Sequence, residues 1–172
     1  MKYIAFLRGI NVGGNTKVDM ATLRKTLEGL HCTDVKTVLN SGNIIFQINE
    51  NSPEKVKQIL EKELKQVFGV SIYVIVRTAQ EIEALIKSDP FNSVPATSHT
   101  KFYVTFLSEN SKGIGDKDTA QNWKIIKLTG KEICTAIEVA PNHGTTELMK
   151  IIENKFGKNI TTRTWNTIQK LV

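Results

Sequence analysis

The residues best suited to chemistry lie in a glycine-rich stretch, LRGINVGG at positions 7–14. Glycines let backbone N–H groups approach an anion closely, and successive N–H groups can form a concave nest for it. An arginine can grip phosphate or carboxylate with two parallel hydrogen bonds. The candidate ligand residues of this stretch and of the segment after it are Arg8, Gly9, Asn11, Gly13, Gly14 and Lys17. The stretch matches neither GxGxxG nor the P-loop pattern, so the alternative is a tight turn that requires glycine.

A second polar turn, NSGN at 40–43, joins two strand-like runs at 34–40 and 43–49. Its short length and its glycine are typical of a β-hairpin. The candidate ligand residues of this turn are Ser41, Gly42 and Asn43. Their hydroxyl, backbone and amide groups could orient an anion that the first stretch binds.

A third candidate group is Arg163, Trp165 and Asn166 near the end of the sequence. An aromatic ring beside an arginine and an amide can stack on a base and bond to it. The alternative is that Trp165, with Ile168 and Leu171 at near-helical spacing, packs a last helix over residues 162–171 onto the core.

No catalytic or metal-binding constellation is evident. Cys32 and Cys134 are far apart, and His31, His99 and His143 are scattered without metal-ligand spacing. The sequence therefore predicts neither a metal nor a cofactor, and it shows no nucleophile with a base beside it. Catalytic residues stay unknown, and so does whether the protein is an enzyme.

The elements that position these residues follow a regular order in the first half. Strand-like runs and helical stripes alternate as β-α-β-β-α-β over residues 1–78, which is the ferredoxin-like pattern. The clearest helix is SPEKVKQILEKELKQVFG, with Ser52 as its cap, Pro53 at its first position and Gly69 at its end.

This topology predicts that the two polar turns lie together. Strands one and two of a ferredoxin-like sheet run parallel, and strand three lies beside strand one. The glycine-rich loop and the NSGN hairpin should therefore form one rim at the same end of the sheet.

The second half, residues 79–172, is less regular and predicts a smaller α+β domain. Thr78 and Glu81 have the spacing of a capping box. Strands are expected at 101–107 and in WKIIKLTGKEICTAIEVA, with a helix in TTELMKIIENKFG. No internal repeat is visible.

Composition indicates a globular protein with 40% hydrophobic residues and a net charge of +6. The charge suits an anionic partner or simply a lysine-rich solvated surface. No apolar run reaches the ~20 residues that a membrane span needs, and Arg8 interrupts the only stretch resembling a signal peptide. We therefore expect a cytoplasmic protein with no membrane partner.

Three stretches carry a resemblance to a known family: FLRGINVGGNTKVDMATLRKTLEGL, VLNSGNIIF and TTRTWNTIQKL. Together they resemble the bacterial family called domain of unknown function 1697. The resemblance implies a ferredoxin-like first part and a second α+β part, and it implies no activity. It points to residues 8–14, 41–43 and 163–167, although Thr164 stands where the family typically has asparagine.

Three classes of function remain open. The first is a binding protein that holds an anionic ligand at the rim, with a phosphate-bearing small molecule or a nucleic acid as partner. The second is a small transferase or hydrolase acting on such a ligand. The third is a homo-oligomeric structural module whose rim glycines serve folding alone.

Overall fold

A computed structural model of the chain describes residues 1–11, 16–108, 123–139 and 146–172, and the backbone alone at 146–148. These residues divide into two compact units. The first is Met1–Ala84 together with Lys170–Val172, and the second is Leu85–Gln169. The boundary that the sequence places after residue 78 stays a prediction.

The described elements of the first unit follow the order β-α-β-β-α-β. They are β1 (Lys2–Leu7), α1 (Met20–Gly29), β2 (Thr33–Val38), β3 (Asn43–Gln47), α2 (Pro53–Phe68) and β4 (Val74–Thr78). The strands form one antiparallel sheet in the order β2-β3-β1-β4. Because β3 lies beside β1 and splits β1 from β2, the unit has the ferredoxin-like arrangement. The predicted fold of the first half is confirmed.

Strand β1 is the centre of this sheet. Tyr3, Ala5 and Leu7 belong to the core that also contains the buried faces of α1 and α2. Ile4 and Phe6 point to the opposite face and are fully buried as well. Burial on both faces explains why the apolar residues of KYIAFL run without alternation.

The helix boundaries follow the capping residues visible in the sequence. Ser52 accepts a hydrogen bond from the N–H of Lys55, and Gly69 ends α2 in the left-handed conformation at φ 71°. The Thr78 N–H donates to Glu81 Oε2 over 2.8 Å, and the Glu81 N–H donates back to Thr78 Oγ1 over 3.2 Å. This reciprocal pair confirms the capping box at the start of α3 (Ala79–Lys87).

The second unit repeats the strand arrangement of the first. Its further described elements are β5 (Thr100–Leu107), β6 (Trp123–Leu128), β7 (Glu132–Glu138), α4 (Thr146–Phe156), β8 (Ile160–Thr164) and α5 (Trp165–Ile168). Its antiparallel sheet has the order β6-β7-β5-β8, which matches β2-β3-β1-β4 position by position. Helix α4 connects β7 to β8 as α2 connects β3 to β4. The sequence shows no such repeat, because side-chain identity differs while the backbone topology recurs.

The helix expected over residues 162–171 is wrong at both ends. Ile160–Thr164 forms β8, which pairs antiparallel with β5 from Tyr103↔Thr164 to Leu107↔Ile160. The helical residues are Trp165–Ile168 alone. The threonines of ITTRT favour an extended backbone, and the partner strand β5 satisfies their backbone groups.

Candidate functional site

Two backbone hydrogen bonds fix the end of β1 at the rim. The Leu7 N–H donates to the carbonyl of Gly42 over 2.8 Å, and the Arg8 N–H donates to the carbonyl of Tyr73 over 2.9 Å. The first bond joins β1 to the hairpin between β2 and β3, and the second joins it to the segment before β4. We call residues 8–11, 16–17 and 39–43 the rim.

Asn11 joins the two halves of the rim. Its Nδ2 donates to the carbonyls of Val18 and Asn40, over 2.9 and 3.0 Å. Its Oδ1 accepts from the Val18 N–H over 2.9 Å, and its own N–H donates to the Thr16 carbonyl over 2.8 Å. Asn11 is thus bonded to the residues that follow the glycine pair and to the hairpin. For the described residues of the two turns, the prediction that they lie side by side is confirmed.

Gly42 lies close to the end of β1 and to the loop after it. It has φ +78°, and a Cβ placed there would lie 2.8 Å from Leu7 Cβ and 2.9 Å from Ile10 Cδ1. Both the backbone conformation and the packing therefore require glycine. The residue is explained by folding, whatever the rim binds.

Asn43 is fully buried, and it also supports the hairpin. Its Nδ2 donates to the Val38 carbonyl over 2.9 Å and to Ser41 Oγ over 3.0 Å. A buried amide that is already paired in this way holds the turn rather than reaching for a ligand. The same bond orients the half-buried hydroxyl of Ser41.

The two charged residues of the rim and Gly9 lie at or near the surface. Arg8 is half-buried, while Gly9 and Lys17 are exposed. Gly9 has φ +67°, and a Cβ placed there would meet open space. Gly13 and Gly14 lie outside the described residues. The rim thus combines a paired scaffold with two cationic side chains.

A cavity of about 410 Å³ adjoins this loop and is lined by Asn11, Thr16, Lys17, Val18 and Asp19. Asp19 caps α1, because its carboxylate accepts from the Thr22 N–H over 2.7 Å. That hydrogen bond lowers the pKa of Asp19. The carboxylate is therefore committed to the helix and is not free to act as a base at the rim.

The third candidate group lies in the second unit. Arg163 is in β8, and its Nη1 donates to Thr161 Oγ1 over 2.7 Å and to the Thr162 carbonyl over 2.8 Å. Burial lowers the pKa of Arg163 to about 10. Its guanidinium is therefore held close to its own strand.

Trp165 packs in an aromatic cluster. Its ring meets Phe91 edge-on at 5.2 Å, and Phe91 stacks on Phe102 at 4.6 Å. Only 7% of Trp165 is exposed, whereas Asn166 beside it is exposed. These contacts favour the packing interpretation of the tryptophan over a stacking platform for a base.

Thr164 has a structural role that accounts for its residue type. It caps α5 by accepting from the Thr167 N–H over 3.3 Å. Asparagine is an equally good cap, so threonine can replace the asparagine typical of the family motif without loss of this bond.

Within the described parts of the chain, the remaining chemistry is sparse. No group of three or more His, Cys, Asp or Glu side chains is placed to hold a metal ion. Burial raises the pKa of Cys32 to about 11 and that of Cys134 to about 12, which leaves both thiols protonated and unreactive. His143 lies outside the described residues. None of the described helices combines the length and apolar character needed to cross a bilayer.

Sequence reasoning missed two features of the rim. Leu39 adopts the left-handed conformation at φ 59° and is 52% exposed, which is an uncommon combination for a leucine. Ile10 is fully packed against Gly42. No local signal marks either residue, because both depend on how the two turns meet.

The fold and this rim define a two-unit α+β protein with a ferredoxin-like first unit. The model of the family described as "Protein of unknown function (DUF1697)" matches residues 1–122, so the chain belongs to that family. The resemblance to this family is confirmed, and the third motif, at residues 161–171, lies outside the matched residues.

Among solved structures, the chain is similar to the conserved bacterial protein SP0830 from Streptococcus pneumoniae. The TM-score is 0.74 at 22% identity, and the match covers 99% of this chain and 96% of that one. This likeness supports the fold of both units. A search of curated proteins finds no match.

Proposed function

We propose that this protein binds an anionic, phosphate-bearing ligand at the rim, with Arg8 and Lys17 as the cationic groups. The observation that carries the proposal is the set of hydrogen bonds made by the Asn11 side chain. They join Asn11 to Val18, on the other side of the glycine pair in the sequence, and to Asn40 of the hairpin. Groups whose positions are fixed before the ligand arrives lose less entropy on binding.

The rim residues that build the site differ from those that are placed to contact a ligand. Asn11, Gly42 and Asn43 build the rim through buried or bridging contacts. Lys17 is exposed and lines the adjoining cavity. Gly13 and Gly14, in the same loop, are residue types whose backbone N–H groups can approach a phosphate closely.

Transfer or hydrolysis at the rim finds no support in the described residues. Residues 8–11, 16–19 and 39–43 include no histidine, and the Asp19 carboxylate caps α1. The structural module remains the competing class, because the paired rim residues would be equally necessary for folding. We further propose a cytoplasmic location and no resident metal or cofactor.

A thermal-shift screen separates these classes. Wild type, Arg8→Ala and Lys17→Ala are each heated with pyrophosphate, sugar phosphates or short 5′-phosphorylated oligonucleotides. We expect a concentration-dependent rise in the Tm of wild type, equivalent to ~2.7 kcal/mol at a hundredfold excess over Kd, and a smaller rise in both variants. Lys55→Ala removes an exposed lysine of α2 and is the charge-matched control.

The different ligands of the screen show whether the phosphate belongs to a small molecule or to a nucleic acid. A shift with sugar phosphates or pyrophosphate indicates a small molecule, and one with oligonucleotides alone indicates a nucleic-acid end. If no anion raises the Tm of wild type, while Arg8→Ala merely melts lower, the rim serves folding and the proposal is wrong.

A further inference from the structure

A second cavity of the first unit lies away from the rim and was not apparent from the sequence. It encloses about 740 Å³, and we call it the β2 groove. Residues of β1, β2 and β3 line it together with Arg24 of α1 and the segment Lys170–Val172. All of these residues belong to the first unit. The volume falls within the range of ~300–1,000 Å³ typical of small-molecule sites.

The floor of the groove is the face of the sheet opposite the helices. Tyr3, Leu7, Ile44 and Phe46 are in the core under α1 and α2. Strand alternation therefore places their neighbours on the other face. The floor residues on this face are Lys2 with its register partner Gln47, Lys36 with its register partner Ile45, and Val38.

The floor is partly apolar. Val38 and Ile45 are half-buried, and both line the groove together with Val35 and Leu171. Leu171 is fully buried, so it forms a fixed wall. A ligand that occupied the groove would cover this apolar surface.

The charged groups around that floor are mostly cationic. Four basic side chains line the groove, Lys2, Arg24, Lys36 and Lys170, against one acidic side chain, Asp34. All four are exposed, and within the described part of the chain none of the four side chains donates a hydrogen bond or forms an ion pair, although Arg24 interacts electrostatically with Asp19. The side chains of the lining therefore carry an excess of positive charge, which raises the local concentration of anions.

The acid is held by the protein itself. Asp34 lies where the register of β2 and β3 shifts between Thr33 and Lys36, and it has φ 51°. Its Oδ2 accepts a hydrogen bond from Gln47 Nε2. Bulges often change the direction of side chains next to binding sites. Here the irregular register accompanies a bond between Asp34 and the uncharged side chain of Gln47.

We propose that the β2 groove is a second binding site, for a small molecule that carries two or more negative charges on an apolar body. Mononucleotides belong to this chemical class. The cations surround the floor rather than meeting at one point: by strand spacing and rise, the Cα atoms of Lys2 and Lys36 are roughly 12 Å apart. The charges of the ligand bind at the edges while its body covers Val38 and Ile45.

The floor does not suit a nucleic-acid strand equally well. Single-stranded nucleic acids bind sheet faces mainly by stacking bases on aromatic rings. The aromatic residue of the lining is Phe46, and its ring is fully buried in the core on the helix side. The exposed apolar surface of the floor is aliphatic, which favours a compact ligand.

This site is separate from the rim and does not depend on it. Lys2 and Gln47 lie at the end of the sheet opposite Leu7 and Asn43, where the rim begins. None of the rim residues lines the groove. Each site can therefore be disabled without changing a side chain of the other.

Isothermal titration calorimetry of the full chain tests the proposal with three probes. ADP carries both the phosphate charges and the nucleoside, pyrophosphate carries the charges alone, and adenosine is the nucleoside alone. We expect saturable binding of ADP, with pyrophosphate and adenosine each weaker by about tenfold or more. Lys36→Glu and Lys170→Glu should each lower the affinity for ADP by about tenfold or more. Lys62→Glu, which reverses an exposed lysine of α2 on the other side of the sheet, should leave the affinity unchanged.

Three results would overturn the proposal. Wild type could show no saturable ADP binding, or pyrophosphate could bind as tightly as ADP. ADP affinity could also fall in Arg8→Ala and persist in both Lys36→Glu and Lys170→Glu. That last result would assign ADP to the rim, so the rim proposal would stand while the groove proposal fails. The Tm of each variant without ligand reports whether it is folded.

Discussion

At the scale of single residues, two glycines of the rim share a backbone conformation and differ in their surroundings. Gly42 has φ +78° and Gly9 has φ +67°. A Cβ at Gly42 would overlap Leu7 and Ile10, whereas a Cβ at Gly9 would meet nothing within 4 Å. The pair therefore separates the effect of backbone conformation from that of packing.

We expect Gly42→Ala to lower the free energy of unfolding by about 2–5 kcal/mol. Left-handed backbone costs a non-glycine residue ~1–2 kcal/mol, and overpacking adds ~1–3 kcal/mol. Urea unfolding followed by far-UV circular dichroism measures the change. Both tryptophans, Trp123 and Trp165, lie in the second unit, so their fluorescence would not report on the rim directly.

Gly9→Ala is the matched control, with an expected loss of only about 1 kcal/mol from backbone strain. If the two variants lose the same stability, the close contacts of Gly42 with Leu7 and Ile10 contribute nothing, and the packing explanation of this glycine is wrong.

At the scale of elements, the hairpin between β2 and β3 stores strain at an exposed position. Leu39 has φ 59°, and the next residue, Asn40, offers the carbonyl that Asn11 binds. The left-handed conformation is unfavourable for leucine. Because Leu39 is 52% exposed, packing of its side chain compensates little of that cost. The hairpin is thus held by its own bonds through Asn43 and by the bond from Asn11 to Asn40.

We expect Leu39→Asn to raise the free energy of unfolding by about 0.5–1 kcal/mol, because asparagine tolerates the left-handed conformation. Leu39→Ala is the control: it also removes the exposed side chain but keeps the strain, so it should not stabilise. Urea unfolding measures both. A loss of stability in the asparagine variant would mean that the leucine side chain packs more favourably than its exposure indicates.

At the scale of the whole molecule, the first unit is built from two distant parts of the chain. Residues Lys170–Val172 cluster with Met1–Ala84 rather than with the residues just before them. Leu171 is fully buried, while Val172 beside it is 53% exposed. The core of the ferredoxin-like unit therefore includes Leu171, which lies outside residues 1–78 and cannot be predicted from them.

We expect Leu171→Ala to lower the free energy of unfolding by about 2–5 kcal/mol, as for other buried leucines. Val172→Ala should change it by less than about 0.5 kcal/mol, because the residue is exposed. Hydrogen exchange of the β1 and β3 amides, measured by mass spectrometry, locates the effect. Exchange that is faster only in the second unit would contradict the assignment of Leu171 to the first.

The sequence by itself determined the elements of the first unit, their order and the ends of the capped helix α2. Hydrophobic periodicity and capping residues such as Ser52, Gly69 and the Thr78–Glu81 pair act within a few residues, so they can be recognised locally. The order β-α-β-β-α-β then restricts the sheet to few topologies, and the neighbouring turns follow. The residues of the rim could be named in this way.

Only the tertiary structure decided what those residues do. The Asn11–Asn40 bond, the contact of Gly42 with Ile10 and the burial of Leu171 join positions that are distant in sequence. The same holds for β8, whose threonines become a strand because β5 pairs with them. Local patterns encode propensity, whereas these features depend on partners that only the folded chain brings together.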